Sequence, residues 1–307
     1  MKNTINFYYN IFLDELIKKD NCYYFYYGGD EYYFVPLNRP YDDVQSIYKL
    51  NLEMKKRRCL VHELVLNKDK SIITIVNGIS YVLIKLCKYK NDKVFLNDIN
   101  YIQNMTINIE CDKSLVRNDW IKLWSEKIDY YEYQISQVGK KYPLLCDSLS
   151  YFIGMGENAI SYLVNNLDSK TNVNLVVSHK RIYQERGSLN FYDPLNFVVD
   201  SRVRDVAEFI KETFYNKTLN LYDLKSYFNM TNLNKNEYIL LLGRLLFPTY
   251  YFDIYDDIIN KGKSEELVIN IIDRTDEYES LLNTIYKFIL YEKKARLEPI
   301  EWLQDKN

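Results

Sequence analysis

The chain has few of the residues on which the commonest catalytic motifs depend. It contains 9 glycines and 2 histidines among 307 residues, and this glycine count is less than half of the roughly 7% that proteins use on average. No stretch matches a glycine-rich phosphate or dinucleotide loop, the serine elbow of hydrolases or the His-Glu-x-x-His metal motif. Two histidines also leave little room for a histidine-based triad or metal cage. These scarcities argue against several common enzyme classes.

Cysteine usage and the distribution of apolar residues indicate the compartment. The cysteines are odd in number and widely spaced, without a Cys-x-x-Cys pair, so we expect reduced, mostly buried thiols. Nowhere do about eighteen apolar residues follow one another, and the first residues show no basic region followed by an apolar segment. The sequence therefore predicts synthesis and folding in the cytosol, without a membrane segment.

The formal net charge of −2 at pH 7 provides no general field that attracts nucleic acid or an anionic membrane. The best local candidate is the basic stretch at residues 55–58, which follows an apolar-periodic segment. Basic residues at the C-terminal end of a helix interact favourably with its dipole. We therefore interpret this stretch as the solvated end of a helix, and anion or nucleic-acid binding by it, or by residues 180–186, is a weaker alternative.

The first 90 residues carry the pattern of hairpins with one inserted helix. Aromatic and β-branched runs at residues 22–27 and 31–37 flank Gly28-Gly29-Asp30, a strong turn signal. Apolar residues then recur at helical spacing over residues 42–58. Three further strand patterns follow at residues 60–66, 72–76 and 80–87. The predicted order is two strands, one helix and three strands.

Beyond residue 100 the apolar pattern takes the period of helices. Two stripes that begin near Trp120 and Leu149 indicate two long helices. Short strand patterns at residues 174–178 and 196–199 flank a loop, and helical patterns then resume. This order predicts an α+β, two-lobed protein-kinase-like fold. A small β-rich N-terminal lobe would span residues 1–90, and a large helical C-terminal lobe with the loop would span residues 91–307.

Three segments make this expectation more specific. They read SYFIGMGENAISYLV at residues 150–164, DPLNFVVDSRVRDVAEFIK at 193–211 and GRLLFPTYYF at 243–252. Together with the Trp120/Trp124 helix and Pro-Ile-Glu-Trp-Leu at 299–303, they resemble the YutH-type members of the CotS spore-coat family. That family is similar in fold to aminoglycoside phosphotransferases and choline kinases. The resemblance covers most of residues 110–303, and the first hundred residues match mainly in the order of their elements.

The resemblance implies four parts for phosphoryl transfer, and three of them are changed here. The lysine expected on the strand before the helix is absent from residues 32–37, so Glu53 on the helix is not assigned as its partner. The relatives' loop reads His-Gly-Asp with an asparagine five positions after the aspartate. In the loop Ser178-His179-Lys180-Arg181, an arginine stands at the aspartate position, and Arg186 stands at the asparagine position. An arginine stays charged and cannot accept a substrate proton, and two cations would repel Mg²⁺.

The remaining candidates are two histidines and one aspartate. His179 is interpreted as a brace of the loop backbone, and His62, on a predicted strand, has the same structural interpretation. Asp200 matches the metal-binding aspartate of the relatives and is the one candidate metal ligand, a remnant of the magnesium site. A single carboxylate without partner ligands is better explained as a structural acid. In that case it would interact with Arg181, Arg202 or Arg204.

The joint loss of lysine, base and asparagine leads to the hypothesis of a catalytically degenerate kinase, a pseudokinase. By resemblance, it is a structural or interaction protein associated with the spore coat, its partners are other coat proteins, and it needs no cofactor. It would be cytoplasmic, or in the spore coat if the organism sporulates. We assign no catalytic or cofactor-binding residue. The alternative is a divergent small-molecule phosphotransferase that uses ATP and Mg²⁺ with Asp200 and an unrecognised base.

Overall fold

A computed structural model of the protein describes residues 1–88, 92–168 and 173–304, with all of their side chains except those of Arg186, Ser188 and Gln304. Contacts divide the chain into two units. The first consists of Met1–Val116 and Leu175–Asp200, and the second of Arg117–Asn174 and Ser201–Asn307. The predicted lobe boundary at residue 90 falls outside the described residues and stays a prediction. The contact-based units group residues 92–116 and 175–200 with the sheet.

The elements follow the predicted order, with additions at the N-terminus and after the sheet. In chain order they are α1 (Lys2–Tyr9), β1 (Ile17–Lys19), β2 (Cys22–Tyr27), β3 (Asp30–Pro36), α2 (Tyr41–Lys56), β4 (Glu63–Val65), β5 (Ile73–Val76), β6 (Ile79–Lys85), α3 (Leu96–Thr106), α4 (Trp120–Val138), α5 (Pro143–Asn166), β7 (Leu175–His179), α6 (Gly187–Phe191), β8 (Phe197–Ser201), α7 (Val203–Tyr215), α8 (Leu221–Met230), α9 (Lys235–Leu246), α10 (Thr249–Lys261), α11 (Ile269–Ile272), α12 (Thr275–Tyr291) and α13 (Glu301–Gln304).

The strands β1 to β6 form an antiparallel sheet in the first unit. Its order is β1-β2-β3-β6-β4, and β5 also pairs with β6. The predicted turn between β2 and β3 is confirmed, because Gly28 and Gly29 have φ angles of 60° and 82°. Positive φ is the conformation in which glycine avoids the steric cost of a Cβ atom. The predicted hairpin therefore forms the centre of this sheet.

One face of the sheet is covered by the N-terminal segment. Phe25, Phe34, Tyr81 and Leu83 of the strands form one buried cluster with Ile5, Ile11 and Leu13. Helix α1 and strand β1 were not predicted, since α1 buries only Ile5 and β1 buries no residue. Such short segments carry too few buried positions for a periodic signal. Helix α3 was also not predicted, although apolar residues recur three apart at positions 96, 99 and 102.

A buried asparagine joins helix α2 to strand β4. The Nδ2 atom of Asn51 donates to the carbonyl oxygen of His62 at 2.7 Å, and its Oδ1 atom accepts from the Leu64 N–H at 3.2 Å. Both partners are backbone groups that lie away from solvent, where an unpaired polar group costs about 1–3 kcal/mol. Asn51 therefore fixes how α2 packs against the edge of the sheet.

The second unit is helical and contains the two long helices that the sequence predicts. Trp120 and Trp124 of α4 stack at a centroid distance of 5.4 Å, and Trp124 stacks on Phe247 at 4.3 Å. Helices α5 and α9 approach closely at Gly243, where an added Cβ atom would lie 2.4 Å from a methyl carbon of Leu163. Pro248 separates α9 from α10. The apolar stripes of the sequence are thus the packed faces of these helices.

The cysteines and the apolar helices bear on the expected compartment. All five cysteines are free thiols, but only Cys59 is buried and Cys146 is exposed. The prediction of mostly buried thiols is therefore wrong, because burial depends on which face of an element packs. In the parts of the chain that the structure describes, no helix combines the length and the apolar character needed to cross a membrane.

Candidate functional site

The candidate site is the loop that joins β7 to β8, which the sequence predicts to correspond to the kinase catalytic loop. The Lys180 N–H donates to the carbonyl oxygen of Asn196 at 2.8 Å. The side-chain amide of Asn196 donates to the carbonyl oxygen of Arg181 at 2.9 Å. These bonds join the two ends of the loop, so its backbone is held by its own polar groups.

His179 braces the loop from inside. Its side chain is buried, and its Nε2 atom lies 2.7 Å from the carbonyl oxygen of Phe191, to which it donates. The imidazole stacks on the Phe191 ring at 4.4 Å and meets the Phe197 ring edge-on at 5.3 Å. This is the bracing geometry that the sequence predicts for His179, and it directs the ring toward backbone and aromatic groups.

His62 has a comparable structural position at the start of β4. The backbone N–H of Cys87 donates to its Nδ1 atom at 3.1 Å, so this nitrogen is an acceptor and the neutral ring carries its proton on Nε2. The His62 N–H donates to the carbonyl oxygen of Tyr192 at 2.9 Å. His62 therefore links β4 both to the end of β6 and to the loop.

Arg181, which the sequence predicts at the position of the catalytic aspartate, folds back on its own chain. Its Nη1 atom donates to the carbonyl oxygen of Lys180 at 2.7 Å. A guanidinium has five donors and no acceptor, so the side chain at this position cannot receive a proton. The backbone of Arg186 ends a short 3₁₀ turn, and its side chain lies outside the described part of the structure.

Asp200 lies in β8 and is fully buried. Its neighbour Val199 forms an isolated parallel bridge to Val116, which follows a short 3₁₀ turn. Within the described residues, no group of three or more His, Cys, Asp or Glu side chains is arranged to hold a metal ion. A magnesium ion held entirely by protein side chains therefore does not fit the described residues.

Arg39 is a buried cation that sequence reasoning missed. It follows β3, the strand on which the family's phosphate-binding lysine is expected, and it is 6% exposed. Its Nη2 atom donates to the carbonyl oxygen of Phe197 at 3.1 Å, and its Nε atom lies 3.6 Å from Asp43 Oδ2. In the sequence, the spacing of four residues between Arg39 and Asp43 was the only indication that this arginine has a partner. The guanidinium therefore ties the end of β3 to the start of β8.

Asp193 is the second residue of the site that was not predicted. Its Oδ1 atom accepts from the Leu195 N–H at 2.9 Å. Burial raises the pKa of Asp193 to about 6, and the positive groups of Arg39, His179 and Lys180 act in the opposite direction. The loop thus brings one carboxylate close to several basic side chains.

The first part of the loop is anchored to residues 92–94. Gly187 has a φ angle of 37°, and an added Cβ atom would lie 2.1 Å from the carbonyl oxygen of Asp92. The Val94 N–H donates to the carbonyl oxygen of Gln184 at 3.1 Å. Both the backbone conformation and the close approach require glycine, so Gly187 determines the path of the loop.

The basic stretch at residues 55–58 is largely bonded within the first unit. Lys55 Nζ lies 2.5 Å from Glu63 Oε1, and Lys56 Nζ lies 3.0 Å from Glu53 Oε2. The Arg57 guanidinium donates to the carbonyl oxygen of Ile107 at 3.0 Å. These contacts support the interpretation as a helix end, with Glu53 as a surface glutamate, and they weaken the alternative of an anion-binding patch.

Solved structures of similar fold are small-molecule phosphotransferases and kinases. An aminoglycoside phosphotransferase from Alicyclobacillus acidocaldarius superposes with a TM-score of 0.65 at 9% identity, over 92% of this chain and 94% of that one. An AMP-bound spectinomycin phosphotransferase gives 0.60 at 10%, over 90% and 92%. A choline/ethanolamine kinase family protein from Mesorhizobium loti gives 0.51 at 10%, over 87% of each. The chain therefore has the predicted kinase-like α+β fold, with a small antiparallel N-lobe and a mostly helical remainder.

The sequence comparison identifies the family within that fold class. The family described as "Spore coat putative kinase YutH" matches residues 2–285, and the chain belongs to it. The endospore coat-associated protein YutH of Bacillus subtilis (strain 168) is 30% identical over 207 residues, which are 60% of this chain and 61% of that protein. The alignment thus spans less than two thirds of the relative. The predicted family is confirmed, and the name of the relative agrees with the predicted spore-coat location.

Proposed function

We propose that this protein is a pseudokinase that serves as a structural or interaction protein of the spore coat. The observation that carries the proposal is Arg181, which replaces the catalytic aspartate and donates to the carbonyl oxygen of Lys180 at 2.7 Å. Enzymes that transfer a phosphoryl group to a hydroxyl use a carboxylate at this position to accept the hydroxyl proton. A guanidinium remains protonated at working pH, so this position supplies no general base.

The cationic and acidic groups around the loop also support a degenerate site. Arg39, close to the expected lysine position, donates to the carbonyl oxygen of Phe197, and its Nε atom lies 3.6 Å from Asp43 Oδ2. Asp200 is the proposed remnant of the magnesium site, but no metal-holding group of three side chains occurs among the described residues. Charge on the phosphates in such reactions is neutralised mainly by metal ions and basic groups. Both contributions are reduced here.

The proposed role in the coat comes from the family. The relative is named an endospore coat-associated protein, and the residues that differ from a phosphotransferase are those of chemistry rather than of packing. Helix stripes, the sheet and the braced loop are all retained. A folded domain that has lost its catalytic residues can still offer its surface to other proteins. We therefore propose that other coat proteins bind those surfaces.

The test is a thermal-unfolding comparison of the full chain with and without millimolar ATP and Mg²⁺. A ligand that binds only the folded state at 100 times its Kd would stabilise it by about 2.7 kcal/mol. We expect no Mg²⁺-dependent rise in Tm. An active aminoglycoside phosphotransferase measured in the same buffers is the positive control.

The variant Asp200→Asn distinguishes a divergent phosphotransferase from a pseudokinase. It removes the carboxylate charge while preserving side-chain shape, and its own melting curve reports whether it folds. An increase in Tm with ATP and Mg²⁺ that Asp200→Asn abolishes, together with nucleotide consumption by the unmodified chain, would establish the enzyme and contradict the pseudokinase.

A further inference from the structure

Helices α4 and α5 border an open groove of about 310 Å³ in the second unit. Its floor is apolar and consists of Ile128, Ile160 and Val164, of which Val164 is 57% exposed. Its rim is polar and includes Asp129, Glu157 and Ser161. The groove thus combines an apolar base with carboxylates at its edge.

A close approach of the two helices forms this groove. At Gly156 an added Cβ atom would lie 2.9 Å from Ile128 Cδ1, so α5 lies close to α4 here and a larger residue would displace the end of the Ile128 side chain. The helices are 19 and 24 residues long, and their packing holds both walls. The groove therefore belongs to regular, packed elements rather than to a loop.

The two rim carboxylates have no counter-ion within the described part of the chain. Other acidic residues near them are paired, since Glu126 lies 4.0 Å from Lys122 and Asp256 lies 3.9 Å from Lys127. Asp129 and Glu157 form no such pair in the described residues, although both are exposed. An ammonium placed between them would gain attraction from both.

We infer that the α4–α5 groove docks a lysine-bearing segment of a partner protein. The aliphatic stem of a lysine buries apolar area on the floor while its ammonium group reaches the rim. Apolar neighbours of that lysine would cover Val164, which a small free amine would leave exposed. This inference rests on the proposed role as an interaction protein and names the chemistry of the partner.

The test measures fluorescence anisotropy of a labelled peptide of lysine and leucine with the full chain at low salt. We expect binding that the double variant Asp129→Asn/Glu157→Gln weakens by about fivefold or more, because two exposed ion pairs are lost. Glu132→Gln removes one carboxylate charge from α4 outside the groove lining, half of the charge that the double variant removes, and it should change the affinity by less than about twofold.

Four results would overturn the inference. These are no binding of the lysine–leucine peptide, equal weakening by Glu132→Gln, equally tight binding of a lysine–serine peptide, and self-association of the chain that the double variant abolishes. The last result would assign the groove to a second copy. Nucleotide is absent from this experiment, so failure of the groove leaves the pseudokinase proposal intact. A Mg²⁺-ATP shift would contradict that proposal without changing the peptide result.

Discussion

The Nε2 atom of His179 lies 2.7 Å from the carbonyl oxygen of Phe191, and the two rings stack at 4.4 Å. This contact connects the last residue of β7 with the last residue of α6. It closes the loop that the sequence predicts to correspond to the kinase catalytic loop. The presence of a histidine in this loop therefore has a structural explanation.

His179→Ala is expected to lower the free energy of unfolding by about 2–4 kcal/mol. The change leaves the Phe191 carbonyl without its donor and opens a cavity between two aromatic rings. Urea unfolding would measure it. Glu185→Ala, which removes an exposed pair with Lys93 at 3.0 Å, is the control and should change stability by about 0.5 kcal/mol or less. Equal small effects of both variants would contradict the bracing role.

Asp193 predicts a loss of stability as pH rises. Burial raises its pKa from the usual 3.8 to about 6 in the folded chain, so the folded state binds this proton more tightly than the unfolded state. The contribution is complete below about pH 4 and is lost as pH rises through about 6. The side chain keeps partial exposure, so we expect a loss of about 1–2 kcal/mol.

The measurement is the free energy of unfolding of the unmodified chain and of Asp193→Asn between pH 4 and pH 7. Asparagine retains an oxygen that accepts from the Leu195 N–H and does not titrate. The unmodified chain should lose stability relative to the variant over this range. A difference that stays constant, or that changes in the other direction, would show that the folded-state pKa is not raised.

Gly187→Ala is expected to destabilise the chain by about 2–4 kcal/mol. An alanine there has positive φ and a Cβ atom that meets the Asp92 carbonyl at 2.1 Å, so strain and a clash add. The matched control is Gly262→Ala, which has a φ of 65° but nothing within 4 Å of the added atom. It should cost only about 1 kcal/mol. If chemical denaturation showed that both variants lose the same free energy of unfolding, the close approach of Gly187 to Asp92 would be contradicted.

Much of the architecture could be predicted because it depends on local pattern. The Gly28-Gly29 turn determined the hairpin of β2 and β3, and apolar residues at helical spacing indicated α2, α4 and α5. Among the segments that were missed, α1 and β1 bury too little to show a period. Helix α1 is placed by the contact of Ile5 with a sheet cluster that includes Leu83, and β1 is placed by its pairing with β2.

Only part of the candidate site could be predicted from the sequence. The assignment of Arg181 to the position of the relatives' catalytic aspartate rests on the family resemblance of the loop sequence and stays a prediction. The roles of Arg39 and Asp193 did not, since the Arg39 guanidinium bonds to Phe197, which lies 158 residues away. No local spacing reports such a contact. The burial of Arg39 and the raised pKa of Asp193 arise only when the segment after β3 packs against the loop between β7 and β8.

The amino-acid sequence by itself determined the family and the order of most elements, because these depend on residue identity and short-range periodicity. Only the tertiary structure decided that His179 bonds to the carbonyl oxygen of Phe191, that Lys55 of the basic stretch pairs with Glu63, and that Cys146 is exposed. The physical reason is that desolvation and hydrogen-bond partners depend on distances between remote segments. Those distances exist only in the folded chain.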